Sequence, residues 1–378
     1  MTKGDLMFNT DDFKAVNAIR TLAIAQIEKA NSGHPGLPMG ASPMAYTVFN
    51  KVLKANPANP SFFDRDRFVL SAGHGSAMLY SLLHLSGYDL SIDDLKNFRQ
   101  IGSITPGHPE HGMTPGVEVT TGPLGQGIAQ AVGLAVAEKH LAGLYNKEDI
   151  EIIDHYTYAL CGDGDLMEGV AYEAMSLAGH LKLDKLILLY DSNDICLDGD
   201  LNTSFSESVK DRVIAQGWDY ERVEDGEDLE AILKAIESAK ENKKPTMVEV
   251  KTVIGFGSAN EGTNKVHGAP IGSDDFENVK KAYGWEAEDF VISDDIYETF
   301  KKGIGERGKK ANEGWDELLK EYEEKYPEDY KDLMAGINRE LPENFMDDVK
   351  KYSHEDKALA TRASSGEILQ DLAKISRN

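Results

Sequence analysis

Basic residues, cysteines and long apolar runs are scarce in this chain of 378 residues. Lys and Arg number 40 against 65 Asp and Glu, so the formal net charge is −25. This charge predicts no nucleic-acid partner and no anionic membrane surface, because both would repel the chain. No run of about 18 apolar residues is present, and the acidic start lacks an apolar secretion core. Since the two cysteines, Cys161 and Cys196, fit no zinc spacing, the sequence predicts a reducing, cytoplasmic location.

Helix-like and strand-like segments alternate from about residue 11 to about residue 300, with glycine-rich loops at their junctions. This alternation predicts an α/β fold with a parallel sheet. The strand candidates are RFVLSA, YTYALC, KLILLY and PTMVEVKTV. The predicted domains are an α/β domain over residues 1–325, a helical or extended linker over residues 326–356, and the first helix of a further domain over residues 357–378.

Two polar residues follow the ends of neighbouring predicted strands. The first strand ends in CGDGDLMEG at residues 161–169, and the second ends in LLYDSNDIC at residues 188–196. Since a strand, a helix and a strand of this length form one βαβ unit, Asp163 and Asn193 are expected to meet at the carboxyl edge of the sheet. Their oxygens suit Mg²⁺ or Ca²⁺, and Mg²⁺ usually completes its shell with phosphate and water. The alternative is that both residues are ordinary turn formers.

A glycine-rich loop and a set of histidines add to this pattern. TTGPLGQGIAQAVGLAVAEKH, residues 120–140, offers backbone N–H groups to a phosphate, with a cradle expected at residues 122–127. It matches neither the dinucleotide fingerprint nor the Walker loop, so a tight loop feeding a core helix is an equal alternative. Four histidines stand beside Gly or Pro in predicted loops: His34, His74, His108 and His267. Such imidazoles orient sugar hydroxyls and move protons, although a single loop histidine is more often merely solvated.

Taken together, these motifs resemble those of transketolases. GDG followed after a helix by Asn resembles the thiamine-diphosphate-binding motif. SGHPG, GHGSAMLYSLLHLSGY, TPGHPE, TTGPLGQG, GDGDLMEG and IGFGSANEGTNKVHGAP occur in the order found in that family, from about residue 15 onward. The resemblance implies the thiamine-diphosphate-binding fold, in the portion that binds the cofactor diphosphate. That fold is a parallel sheet with helices on both faces, followed here by a helical linker.

The resemblance also implies roles for individual residues. The implied ligands of Mg²⁺ or Ca²⁺ are Asp163, Asn193 and the backbone carbonyl of Ile195. The implied cofactor-binding residues are His74, Gly122, Pro123, Leu124, Gly164, Asn193 and His267. The histidines expected to face the ketose and act in catalysis are His34, His108 and His267. Arg362 matches the arginine that receives the sugar phosphate, and Glu168 matches an acidic residue at a dimer contact.

The implied reaction transfers a two-carbon ketol unit from a ketose phosphate to an aldose phosphate, as in the pentose phosphate pathway, with thiamine diphosphate as electron sink. The implied partners are sugar phosphates, a second copy of the chain, and a complementary chain carrying the pyrimidine-binding domain. The catalytic glutamate of that domain is not matched in this sequence, so the chain is expected to be inactive alone. The alternatives are a ketol transferase with another acceptor, such as formaldehyde, and a non-catalytic cofactor-binding or assembly protein derived from a transketolase.

Overall fold

The computed structural model describes residues 8–341 and 345–375. The chain divides into two compact units, residues 1–316 and residues 317–378. The sheet, and the helices that pack on it, belong to the first unit. The domain limits expected at residues 325 and 356 stay predictions.

The described residues contain a parallel sheet with strand order β1-β2-β3-β7-β6 and a small antiparallel hairpin of β4 and β5. The strands are β1 (Arg67–Leu70), β2 (Thr157–Gly162), β3 (Leu186–Ser192), β4 (Ile195–Cys196), β5 (Gly199–Asp200), β6 (Asp219–Val223) and β7 (Thr246–Lys251). The four strand candidates are therefore confirmed as β1, β2, β3 and β7. The edge strand β6 was not among them, because its sequence DYERV has no apolar run.

Helices account for most of the remaining described chain. They are α1 (Thr10–Ala30), α2 (Gly36–Thr47), α3 (Ser76–Ser86), α4 (Ile92–Lys96), α5 (Gln126–Tyr145), α6 (Asp163–Met167), α7 (Gly169–Leu181), α8 (Val209–Ala215), α9 (Leu229–Lys240), α10 (Ser273–Ala282), α11 (Asp294–Phe300), α12 (Glu306–Lys325), α13 (Pro327–Ile337) and α14 (Thr361–Ile375). None of these described helices is both long and apolar enough to cross a lipid bilayer.

The sheet separates two hydrophobic cores, because successive side chains of a strand point to opposite faces. In β2, Tyr158 and Leu160 pack into a core with apolar residues of α1, α2, α3 and α9. Ala159 and Cys161 pack into a second core with apolar residues of α5, α7 and α8. Both faces of the strand are fully buried, which explains its nearly continuous apolar sequence. The predicted α/β fold with helices on both faces is confirmed.

The carboxyl edge of the sheet collects the loops that carry the candidate residues. β2 and β3 are neighbours in parallel register, with Gly162 opposite Asp191. Asp163 and Asn193 follow these strands directly, so both lie at one edge of the sheet. After β1 the chain makes a single turn of 3₁₀ helix at Gly73–Gly75, which contains His74. The fold thus positions a site at the place where open parallel sheets bind ligands.

Candidate active site

A cleft of about 610 Å³ opens at the carboxyl edge of the sheet. The residues expected from the sequence that line it are His34, His74, Gly122, Leu124, Asp163, Gly164, Glu168, Asn193, Ile195 and His267. Pro123 and His108 are not among the lining residues, although His108 lies beside the cleft with its ring 6.3 Å from that of His34. Arg362 is exposed on α14 in the second unit, and its expected contact with a sugar phosphate stays a prediction.

Asp163 presents a buried carboxylate oxygen without a partner. Its side chain is 3% exposed, and its Oδ1 accepts a hydrogen bond from the Tyr190 hydroxyl. Among the described residues, Oδ2 has no hydrogen-bond partner. Burial raises the pKa of Asp163 to about 7, although the hydrogen bond from Tyr190 acts in the opposite direction. A buried, unpartnered carboxylate oxygen of this kind is suited to a cation.

Asn193 is held with its amide oxygen next to the Ile195 backbone. Its Nδ2 donates to Asp191 at 2.9 Å, and its Oδ1 accepts from the Ile195 N–H at 3.0 Å. An amide oxygen has two lone pairs, so one remains for a further contact. Among the described residues, no group of three or more His, Cys, Asp or Glu side chains could hold a metal ion. The Asp163 carboxylate and the Asn193 amide oxygen are oxygen donors of the kind that hard cations prefer.

The cleft is strongly acidic. The acidic residues that line it are Asp163, Asp165, Glu168, Asp191, Asp198 and Asp200. No Lys or Arg is found among the described residues that line the cleft. An anionic ligand would therefore meet a repulsive field unless a cation entered with it.

The four histidines that were named as candidates, each in a separate loop, form one cluster. The ring of His34 lies 5.2 Å from that of His74 and 6.0 Å from that of His267, and His74 stacks on His267 at 5.3 Å. Burial, followed by the charge of Arg99, lowers the pKa of His34 to about 4. Burial also lowers the pKa values of His74, His108 and His267. The cluster is therefore neutral at physiological pH and offers hydrogen-bonding nitrogens to a polar ligand.

Arg99 joins the loops that carry two of these histidines. Its Nη1 donates to Ser32 Oγ at 2.9 Å, and its Nη2 lies 3.4 Å from both His34 Nδ1 and the Gly107 carbonyl oxygen. Because a guanidinium only donates, the contact favours the His34 tautomer with its proton on Nε2. Arg99 thus links the loop of His34 to the loop of His108.

The glycine-rich loop is pressed against the turn that carries Asp163. Gly125 has a φ of +77°, and a Cβ added there would lie 2.7 Å from the Cβ of Glu168. A Cβ at Gly127 would lie 2.4 Å from the Cα of Ser71. Both glycines are therefore required by close backbone approach. Of the cradle expected at residues 122–127, Gly122 and Leu124 line the cleft, whereas Gly127 faces the end of β1.

Three residues that contribute to the site were not identified from the sequence. Asp165 accepts a hydrogen bond from Gly125 in the glycine-rich loop, and Asp191 accepts one from Asn193. Arg99 approaches His34 from a distant loop. The motif GDGDLMEG contains a signal for Asp165, since an acidic residue at the third position of a helix often caps the preceding backbone. No comparable signal marks Arg99, because its contacts join loops far apart in sequence.

Comparisons with known proteins agree with this arrangement. Residues 11–342 match the family model described as transketolase, thiamine diphosphate binding domain. A transketolase of Geobacillus stearothermophilus is 59% identical over 363 residues, which are 95% of this chain and 54% of that protein. A transketolase of Bacillus subtilis is 58% identical over 369 residues, 97% of this chain and 55% of that protein.

Solved structures show the same relationship. The transketolase of Leishmania mexicana has a TM-score of 0.93 at 46% identity, over 97% of this chain and 55% of that one. A Pichia stipitis transketolase in complex with sedoheptulose 7-phosphate has a TM-score of 0.94 at 45% identity, over 98% of this chain and 55% of that one. The chain thus spans about half the length of the relatives that it matches. It belongs to the transketolase family, and its residues 11–342 match the thiamine diphosphate binding domain of that family.

Proposed function

We propose that this chain holds the diphosphate end of thiamine diphosphate through Mg²⁺ or Ca²⁺. The metal ligands would be Asp163, Asn193 and the backbone carbonyl of Ile195. The observation that carries this proposal is the buried, unpartnered Oδ2 of Asp163 in a cleft whose described lining has no Lys or Arg. The second lone pair of the Asn193 oxygen supports it.

The metal would be obligatory for binding because of the charge of the cleft. Two like charges about 4 Å apart repel by about 4 kcal/mol at an effective dielectric constant of 20. A diphosphate in the cleft would be repelled by each ionised carboxylate that lines it, Asp163 and Asp191 among them. A divalent cation placed between them would attract both the carboxylates of the cleft and the diphosphate. The neutral histidines cannot supply the missing charge.

The remaining site residues would position the cofactor and the sugar. Gly122, Pro123, Leu124 and Gly164 would surround the diphosphate, with His74 and His267 near the thiazolium. When bound, thiamine diphosphate supplies the electron sink for transfer of a two-carbon ketol unit between sugar phosphates. His34, His108 and His267 would bind the ketose hydroxyls and move protons at their ring nitrogens. Arg362 would receive the sugar phosphate.

The described lining of the cleft contains no Phe, Tyr or Trp on which an aminopyrimidine could stack. We therefore propose that full activity requires the pyrimidine-binding domain of a partner chain. The second candidate is a cofactor-binding or assembly protein without activity, derived from a transketolase. A cytoplasmic location is also proposed, and the two free thiols, Cys161 and Cys196, fit a reducing compartment.

Calorimetric titration of thiamine diphosphate into the chain tests the proposed site. With Mg²⁺ present we expect micromolar to millimolar affinity, because a few charge-assisted contacts of about 1.5–3 kcal/mol each act without a pyrimidine-binding wall. With EDTA we expect no measurable heat of binding. Equal binding under the two conditions would show that the proposed metal site is wrong.

We also propose that two copies of the chain associate through a face of α7 near Glu168. Large apolar side chains on and near this helix are between 38% and 49% exposed: Met167, Val170, Tyr172, Leu177 and Leu181. Val170, Leu177 and Leu181 are spaced seven and four residues apart, so they lie along one stripe of the helix. An apolar stripe of this kind marks a protein interface, and a second copy is the partner that the family resemblance implies.

Replacing Leu177 by Asp should weaken this association. A charge at the centre of an apolar contact loses the burial of the exposed half of a leucine, about 0.7–1.5 kcal/mol per subunit, and adds a desolvation cost. Sedimentation at tens of micromolar is expected to show a dimer or larger species for the original chain and a shift towards monomer for Leu177→Asp. Val291→Asp is the control, because Val291 is 51% exposed and does not belong to α7. A monomeric original chain would refute the proposed interface.

A further inference from the structure

Asp165 is one of the residues that line the cleft, yet it is fully buried, and its carboxylate accepts hydrogen bonds from three segments of the chain. Its Oδ1 accepts from the Ser71 hydroxyl and from the Gly125 N–H, both at 2.8 Å. Its Oδ2 accepts from the Gly162 N–H at 3.0 Å. The donors come from the end of β1, from the glycine-rich loop and from the end of β2.

We infer that Asp165 is a positioning residue that fixes the glycine-rich loop relative to the turn carrying Asp163. Both aspartates belong to the five-residue helix α6, so a bond from Asp165 to the loop sets the loop's distance from the Asp163 carboxylate. This inference rests on the proposed function, because it assigns Asp165 a task in binding the diphosphate.

A further hydrogen bond connects Ser71, and through it Asp165, to helix α5. The Ser71 Oγ that donates to Asp165 also accepts from the Ile128 N–H at 3.2 Å. A series of hydrogen bonds therefore connects the first turn of α5, through Ser71, to Asp165. On the cleft side, a Cβ at Gly164 would lie 3.0 Å from Leu124 Cδ1, so the loop and the metal-binding turn are in close contact there as well.

The hydrogen bonds of Asp165 affect binding because a diphosphate must contact two groups of the site at the same time. One end of the proposed site is the metal at Asp163 and Asn193, and the other is the loop at Gly122 and Leu124. Asp165 itself is not proposed to contact the diphosphate. Loosening the loop should therefore weaken diphosphate binding by loss of orientation, while every contacting atom remains in the chain.

Asp165→Asn is the variant that isolates this effect. An amide has nearly the same shape as a carboxylate but only one acceptor atom, so Nδ2 would face one of the backbone N–H donors. Asp94→Asn is the matched control, since Asp94 also stands at the third position of a short helix and accepts from the N-cap N–H at 2.8 Å. Ser71→Ala is a milder second variant, because it removes one donor from Asp165 and leaves the carboxylate in place.

Hydrogen exchange of the ligand-free chain is the first measurement. In Asp165→Asn we expect the amides of Gly125 and Gly162 to exchange about tenfold faster or more, since a hydrogen bond to a charged group is lost. Ser71→Ala should speed exchange at Ile128, and Asp94→Asn should leave all three amides unchanged. Unchanged protection of Gly125 in Asp165→Asn would overturn the inference.

Binding of inorganic pyrophosphate with Mg²⁺ is the second measurement. We expect about tenfold weaker affinity in Asp165→Asn, a smaller loss in Ser71→Ala and no loss in Asp94→Asn. Equal affinity in folded Asp165→Asn and the original chain would make the carboxylate a purely structural group and overturn the inference. If the original chain binds no pyrophosphate, the proposed function fails. Exchange at Gly125 then still decides whether Asp165 fixes the loop.

Discussion

Replacing Asp163 by Ala is expected to weaken the Mg²⁺-dependent affinity for thiamine diphosphate by about 100-fold or more. Losing a residue that only orients a metal ligand typically costs 10- to 100-fold in affinity, and Asp163 is proposed as a ligand itself. Among the described residues that line the cleft, its Oδ2 is the carboxylate oxygen that is buried without a hydrogen-bond partner. Calorimetric titration with Mg²⁺ measures the change.

Asp200→Ala provides the control for this experiment. Asp200 also lines the cleft, but it is exposed and belongs to the small hairpin of β4 and β5. We expect its removal to change affinity much less than removal of Asp163. Thermal unfolding of both variants verifies that each is folded. Affinity in Asp163→Ala equal to that of the original chain would contradict the proposed metal site.

The pH dependence of binding in the original chain should agree with this result. Burial raises the pKa of Asp163 to about 7, above its usual range, so the protonated form competes with the metal below that pH. Affinity is therefore expected to fall by about tenfold for each pH unit below 7 and to level off above about pH 8. The same raised pKa means that the metal-free chain loses stability as the pH rises from about 4 to about 7, because Asp163 releases its proton more readily in the unfolded chain than in the folded one.

Residues 1–378 alone are expected to show little or no transfer of a ketol unit. The resemblance assigns the glutamate that assists the aminopyrimidine to a second domain, and such general acid–base help typically contributes about 10²- to 10⁴-fold. The clustered histidines cannot replace it, because they are proposed to contact the sugar. Transfer from xylulose 5-phosphate to ribose 5-phosphate, followed over time, measures the rate.

Adding a separately expressed chain that carries the pyrimidine-binding and third domains should restore turnover. The same mixture with Asp163→Ala is the control, since it removes the proposed metal site and leaves the added chain unchanged. Strong transfer by residues 1–378 alone, abolished by Asp163→Ala, would contradict the expectation and require another base. Cofactor binding without any restored turnover would favour the alternative of a non-catalytic cofactor-binding or assembly protein.

The meeting of Asp163 and Asn193 could be predicted from the sequence because it depends on one local unit. The two residues end successive strands joined by one helix, and parallel strands of such a unit are usually neighbours. The close approach of His34, His74, His108 and His267 could not be derived in this way. Their loops come from distant parts of the chain, and only the resemblance to transketolases suggested that they share a site.

The different functions of the glycines in the loop also could not be distinguished by using the sequence alone. Gly122, Gly125 and Gly127 look alike in TTGPLGQG, yet only the first lines the cleft. Gly125 needs its positive φ and a close approach to Glu168, and Gly127 faces Ser71 behind the loop. These differences arise from packing between segments about 40 to 60 residues apart, which no local pattern contains.

Asp163, Asn193 and Ile195 are proposed to bind a divalent metal together with a diphosphate. The most direct test of this proposal is a crystal structure of this chain grown with CaCl₂ and thiamine diphosphate, with anomalous scattering used to locate the calcium. We expect a calcium peak within about 2.6 Å of Asp163 Oδ2, Asn193 Oδ1 and the Ile195 carbonyl oxygen, with diphosphate oxygens completing its coordination. Ordered diphosphate in the cleft without a metal at these three atoms would contradict the proposal.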